Sequence, residues 1–311
     1  MAIDQDLLTY YAKLADDFAP LTSTDAVSRR ERFSAIAARY APPRPAGLAV
    51  RELELPLAGR TLRARMYQPT DATARLPLMV FFHGGGWVVG DLDTHDDPIA
   101  RLAVDTGMAV CSVDYRLAPE FPYPAPTDDA IDAVMWLAEH RARLGFALNT
   151  LSVGGDSAGA HLATVAARQA NTRVPGLVNA QLLIYPVVSP DMATESYTRV
   201  SSGPGLTPSD MAFFWQAFLG QTPSPEDTCV NPMAAAPVRQ PADAVVVLAG
   251  NDPLHDEGRD YARFLDQHGG QVELIDAHDM THGFARLQAQ SPAARAWMVQ
   301  TAQAFKKILK A

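Results

Sequence analysis

The chain has 311 residues, of which 48% are hydrophobic and 20% charged. That length suits one large α/β core with a small accessory segment better than two equal domains, and the balance is that of an ordinary globular protein. Lys+Arg 26 against Asp+Glu 35 gives a net charge of −9 without any Lys/Arg cluster, which argues against nucleic acid or an anionic membrane surface as partner.

The start of the chain, Met1-Ala2-Ile3-Asp4-Gln5-Asp6, lacks the basic start and apolar run of a secretory signal. No stretch approaches the ~20 apolar residues of a membrane-spanning helix. The two cysteines, Cys111 and Cys229, do not make a disulfide scaffold, and Cys111 lies in an apolar strand-like run where a buried free thiol is expected. A reducing cytoplasm is the default location.

Residues 1–40 read as helical, with Leu7, Leu8, Tyr11, Leu14 and Phe18 making one apolar stripe. Pro42, Pro43 and Pro45 then begin a connector. Residues 49–57 and 61–67 alternate apolar and polar around Gly59-Arg60, a hairpin signal. Six short apolar runs follow: Leu78–Phe82, Ala109–Val113, Leu151–Val153, Ala180–Tyr185, Ala244–Leu248 and Val272–Ile275. Helix-length segments, roughly 95–106, 127–144, 158–170, 255–268 and 292–309, separate or follow them. Short buried strands alternating with helices predict an α/β fold, a mostly parallel sheet covered on both faces. Residues 189–237 break the rhythm: they are proline-rich, carry the aromatic cluster Phe213, Phe214, Trp215 and Phe218, and are too long for a βα loop. They read as an insertion between two strands.

The strongest chemical signal is Gly155-Asp156-Ser157-Ala158-Gly159, placed directly between a predicted strand and a predicted helix. Gly-x-Ser-x-Gly in that context is a nucleophile elbow, whose tight turn needs small flanking residues. The helix N-terminus behind the serine favours negative charge developing there. A second signal, His83-Gly84-Gly85-Gly86-Trp87, follows the strand Leu78–Phe82. Consecutive glycines strip side chains from a run of N–H groups, which suits donors converging on an oxyanion. A phosphate nest is the alternative, but it would continue into Gly-Lys-Ser/Thr, whereas Trp87-Val88-Val89 follows here. Gly84, Gly85 and Gly86 are therefore candidate oxyanion-hole residues.

The serine needs a base, and the base an orienting acid, in the chain order serine, acid, histidine. His161 and His268 fall on predicted helices and read as structural. His282, on a loop after the last strand and before Gly283, is the preferred base, with His278 in reserve. Asp252 lies just past the strand Ala244–Leu248, and Pro253 is expected to start the next helix and stiffen the turn that holds the carboxylate. Asp256 and Asp260 read as helix-surface charges, and Asp276 and Asp279 lie too near His282 in sequence to orient it well. No His-Glu-x-x-His or dinucleotide fingerprint is present, so neither a metal nor another cofactor is called for.

These residues together resemble the hormone-sensitive-lipase-like esterases, the bacterial group with a Gly-Asp-Ser-Ala-Gly elbow. The match runs through His83-Gly-Gly-Gly-Trp87, Asp114-Tyr-Arg-Leu-Ala-Pro-Glu120, Gly155-Asp-Ser-Ala-Gly159, Asp252-Pro-Leu-His-Asp-Glu-Gly258 and His282-Gly-Phe284, and it covers nearly everything from about residue 45 onward. The resemblance implies an α/β-hydrolase core (residues 46–188 and 231–311) with an eight-stranded sheet, and a helical cap from residues 1–45 and 189–230. It implies a Ser157–Asp252–His282 triad, oxyanion donors on the amides of Gly85, Gly86 and Ala158, a small-molecule ester as substrate, and often a homodimer. Residues 115–120 read as structural support. Thr281 stands before His282 where the family often has an apolar residue. Trp87, Phe213, Phe214 and Trp215 are the candidate pocket walls, although neighbours on a helix point about 100° apart, so the cap aromatics cannot all face the site. Short- to medium-chain ester hydrolysis is the function these readings imply. An amidase or a deacetylase of a small acylated compound is the alternative, because the same groups attack either bond. A non-catalytic small-molecule binder, like the gibberellin receptors that lack the histidine, is a third.

Overall fold

The computed structural model describes residues 2–19, 23, 25–220, 226–237 and 239–310. Among the described residues of the first forty lie two helices, as the helical reading of this stretch allowed, α1 (Gln5–Asp17) and α2 (Ala26–Tyr40). Each starts where an aspartate caps it: Asp4 accepts from the Leu7 amide and Asp25 from the Ser28 amide. The expected stripe is narrower than predicted. Leu7 is buried, but Leu8, one helical step of about 100° away, is exposed.

A hairpin follows, β1 (Leu48–Leu57) and β2 (Arg60–Pro69). Then come β3 (Leu78–Phe82), α3 (Asp96–Thr106), β4 (Ala109–Asp114), α4 (Ala125–His140), β5 (Leu151–Asp156), α5 (Ala158–Arg173) and β6 (Ala180–Ile184). The proline-rich stretch carries α6 (Glu195–Arg199) and α7 (Pro208–Leu219) before β7 (Asp243–Asn251), α8 (His255–Gln267), β8 (Val272–Thr281) and α9 (Pro292–Ile308). Residues 221–225, inside the predicted insertion, and 20–22 and 24, inside the predicted first cap segment, lie outside the described residues. Helix α8 begins at His255, so Pro253 belongs to the turn before it and not to the helix.

Among the described residues the strands form one eight-stranded sheet in the order β1-β2-β4-β3-β5-β6-β7-β8. The hairpin is antiparallel, β2 joins β4 antiparallel, and every pairing from β4 to β8 is parallel. Both faces are buried, as continuous apolar runs require. Alternate residues of each strand go to opposite cores: Leu78, Val80 and Phe82 join one, Met79 and Phe81 the other. No described helix is long and apolar enough to cross a membrane.

The segment after β4 braces the sheet. Asp129 on α4 is fully buried and takes both the backbone N–H and the guanidinium of Arg116, at 2.9 and 2.8 Å. Arg60 at the hairpin turn joins the same carboxylate and also reaches Asp132 at 2.8 Å. Removing one member of such a buried group leaves the others uncompensated. Asp129→Ala is expected to lower unfolding free energy by about 3 kcal/mol. Urea melts of the two proteins check this, and a change below about 1 kcal/mol would show that the two arginines find solvent instead.

Candidate active site

The sheet delivers three side chains to one place at its C-terminal edge. Ser157 sits between β5 and α5 at φ 55 and ψ −121, a backbone region that side-chain-bearing residues rarely occupy. The strain is held by close packing. A side chain at Gly159 would collide with the Phe82 carbonyl, and one at Gly155 with the backbone of Gly159. The turn is pinned further by Ser157 N–H donating to the Ile184 carbonyl at 2.9 Å.

His282 follows β8, and Asp252 follows β7. Asp252 is fully buried, with Oδ1 accepting the Leu254 amide at 2.9 Å and Oδ2 lying 2.6 Å from His282 Nδ1. A carboxylate only accepts, so Nδ1–H is the donor, and the Nε2 lone pair faces Ser157 Oγ at 2.9 Å. Serine, imidazole and carboxylate thus form one hydrogen-bonded series. His278 lies within β8, is exposed, and sets its ring edge-on to Trp297. Asp276 and Asp279 point to other partners, His255 and Trp297. Asp256 is more than a surface charge, since it accepts the Ser196 amide at 2.7 Å and so anchors the start of α6.

The glycine loop lies across from this series. Gly86 has φ 59, and a side chain there would strike the Phe214 ring. Among the described residues no protein acceptor takes the N–H of Gly85, Gly86 or Ala158. The first N–H groups of a helix such as α5 have no partner within it. Gly84 differs from the expectation: its N–H donates to Asp156 Oδ1 at 2.9 Å, so it is spent and offers nothing to a ligand.

Asp156 is the residue that sequence reasoning passed over, as the variable position of the elbow. It is buried, and burial opposes its ionisation. Nearby His95, 3.7 Å away, the Arg286 charge and the Gly84 N–H outweigh that and hold its carboxyl down at about 2. The loop's other anchor is His83, which donates from Nδ1 to the Gly84 carbonyl at 2.8 Å and stacks on Tyr115 at 4.4 Å. The Tyr115 hydroxyl donates to the His83 carbonyl at 2.8 Å. An acidic residue at a strand end amid glycines was the available signal.

A cleft of about 560 Å³ opens over Ser157 and His282. Its walls include Tyr11 and Leu14 of α1, Arg29 and Phe33 of α2, and Met211 and Phe214 of α7. Of the four predicted pocket aromatics only Phe214 lines it. Trp87 is fully buried and stacks on Phe218 at 4.2 Å, because the chain turns inward after the glycines at Trp87 φ 59. Trp215, on a different side of α7, packs on Trp87 at 4.7 Å. Phe213 lies under the Arg29 guanidinium at 4.4 Å, beside Val88 and Val89. These three support the wall and do not form it.

A family model described as alpha/beta hydrolase fold matches residues 79–286. The chain belongs to that family. It is similar to an ethyl acetate hydrolase of Pseudomonas putida, 33% identical over 318 residues, which spans 99% of this chain and 100% of the relative. Among solved structures, a thermostable esterase from Pseudomonas putida ECU1011 superposes with TM-score 0.92 at 30% identity, covering 98% of this chain and 97% of its own. The carboxylesterase EstE1, cloned from a metagenomic library, gives TM-score 0.87 at 31% identity, covering 93% and 99%. The resemblance to hormone-sensitive-lipase-like esterases and the α/β-hydrolase fold expected from five motifs both hold.

Burial holds two histidines of this hydrolase neutral. Desolvation, with His95 adding to it, lowers the His83 imidazole to about 4. Desolvation lowers His161 on α5 to about 4 as well, although its Nε2–H donates to the Val230 carbonyl. Unfolded, each would titrate near about 6.5. Between those values the unfolded chain binds more protons, so this stability is complete above about 6.5 and is lost as pH falls toward about 4. Each histidine accounts for about 3 kcal/mol of that loss. Guanidinium melts at about pH 7 and about pH 4.5 check it, and His161→Gln should flatten the slope between them.

Proposed function

We propose that this protein is a carboxylesterase that cleaves short- to medium-chain carboxylic esters through an acyl-enzyme on Ser157. Its enzyme class, carboxylic ester hydrolase, is that of its esterase relatives. The observation that carries the mechanism is the unbroken series Ser157 Oγ, His282, Asp252, facing amides that no group among the described residues takes. In this reading His282 Nε2 removes the serine proton as Oγ bonds to the acyl carbon. Asp252 fixes the ring through Nδ1 and stabilises the imidazolium that forms. The amides of Gly85, Gly86 and Ala158 receive the oxyanion. His282 then returns the proton to the leaving alcohol, and water repeats the sequence to release the acid.

The cap, in this proposal, consists of residues 1–45 and 189–230, and the core of 46–188 and 231–311. It rests on the cleft-lining positions contributed by α1, α2 and α7, with core segments supplying Ser157 and His282. Ser157→Ala is expected to lower kcat for nitrophenyl butyrate by roughly a thousandfold or more. His282→Ala should be comparably damaging, with little added loss in the double variant, because groups acting as a unit are not additive. A Ser157→Ala enzyme keeping about a tenth of the rate would remove the serine from its role.

The apolar walls, Leu14, Phe33, Ile36, Met211 and Phe214, set the chain-length expectation. Each buried methylene contributes about 0.8 kcal/mol until the cleft is filled. So kcat/KM for nitrophenyl esters should peak at roughly four to eight acyl carbons and then fall. A rate still rising at roughly sixteen carbons, with activation at an oil–water interface, would contradict a bounded pocket.

A further inference from the structure

The cleft has an unusual charge for this protein. Arg29, Arg32 and Arg286 line it against Asp156 and Asp210, so its fixed guanidinium and carboxylate charges leave one positive charge in excess, in a chain whose net charge is −9. Two of the three guanidiniums have protein acceptors. Arg29 pairs with Asp210 at 3.0 Å, and Arg32 holds the Ala19 carbonyl. For Arg286 the described residues offer no acceptor within hydrogen-bond distance of its guanidinium. Its contact is a stack over the Phe33 ring, 4.2 Å from the centroid. Asp156 feels its charge but is already engaged by the Gly84 amide and, at 3.4 Å, by the Tyr185 hydroxyl.

Position decides what this cation meets. Arg286 closes the short turn Phe284–Arg286, three residues past Gly283, and its Nη2 lies 3.9 Å from where a side chain on Gly283 would start. It is therefore on the His282 side of Ser157. The oxyanion faces the other side, toward Gly85, Gly86 and Ala158. The half of the ester that lies against His282 is the alcohol half, because the imidazole must protonate the leaving oxygen. A guanidinium stacked on an aromatic face is a permanent cation with its edge donors still available, in a fork that matches a carboxylate.

We propose that Arg286 binds a carboxylate carried on the alcohol half of the substrate, so that the enzyme's preferred esters are O-acylated hydroxy acids. The proposal rests on the acyl-enzyme mechanism above. Ser157 Oγ bonds to the acyl carbon, the bond from that carbon to the hydroxy acid's oxygen breaks, and His282 protonates that oxygen. Water then releases the acyl group as its acid, with no other reactant.

The test compares each of 2-acetoxypropanoate, 3-acetoxypropanoate and 4-acetoxybutanoate with its neutral primary-amide isostere, by acetate release, with nitrophenyl butyrate alongside. For at least one spacing the wild-type enzyme should favour the acid over its amide by about tenfold or more in kcat/KM, the scale of a charge-assisted bidentate contact. In Arg286→Gln the acid-to-amide ratio should fall to about one, mainly through KM for the acid, and Arg286→Lys should retain part of it. A structural role for Arg286 would lower acid and amide together and leave the ratio standing, which overturns the proposal. Equal wild-type rates on acid and amide at every spacing overturn it without any variant. If those pairs fail while nitrophenyl butyrate is hydrolysed, the esterase reading survives alone. If no ester is hydrolysed, both fall.

Discussion

One buried carboxylate ties the two backbone segments of the site together. Asp156 ends β5, directly before the strained serine, and its Oδ1 takes the Gly84 amide at the end of β3's extension. Parallel strands β3 and β5 bring those residues side by side, since Phe82 pairs with Gly155. The same closeness forbids a side chain at Gly159, and the elbow's own backbone forbids one at Gly155. A charge in that position would be costly if unpaired. Here His95, Arg286 and the amide keep it ionised, and in return it holds the glycine loop in register with the elbow.

Around that tie, the supporting shell is polar yet uncharged where charge would be hard to bury. His83 and His161 are neutral, one buttressing the loop through Tyr115, the other spanning from α5 to Val230. The aromatic group Trp87, Trp215 and Phe218 fills the space between glycine loop and α7. Those side chains do not contact the cleft, but they fix where Phe214 stands, and Phe214 in turn lies against Gly86. Rigid backing of this kind is how loop residues are kept within tolerance for chemistry.

The sheet was legible because its strands are buried on both faces and read as unbroken apolar runs, and the elbow and glycine loop because tight backbone geometry demands glycine at fixed positions. Asp252 and His282 were legible from their order and from their places at strand ends. What was not legible depended on direction and on partners distant in sequence. Trp87 follows the glycines, but its positive φ turns it inward, and no local pattern signals that. Gly84 is indistinguishable in sequence from Gly85, and only Asp156, 72 residues later, removes its donor. The break between α1 and α2 was marked in the sequence by Pro20 and the polar run Thr22-Ser23-Thr24-Asp25, and was missed because the whole N-terminal stretch was read as helical around its apolar stripe. Arg286 gave no signal as a lone arginine after a familiar motif.

The N-terminal helix is fastened to the strand that carries the histidine. The Tyr11 hydroxyl meets Thr281 Oγ1 at 2.8 Å, one residue before His282, and the Asp4 amide donates to the Asp279 carbonyl at 2.9 Å. Thr281 has its partner in α1. Two hydrogen bonds thus join α1 to β8, and this helix is not a free module. In a chimera given the first helix of an esterase with an apolar residue at the threonine's place, Thr281 would lose its mate and the imidazole its lateral brace. Transplanting the helix succeeds only if position 281 travels with it.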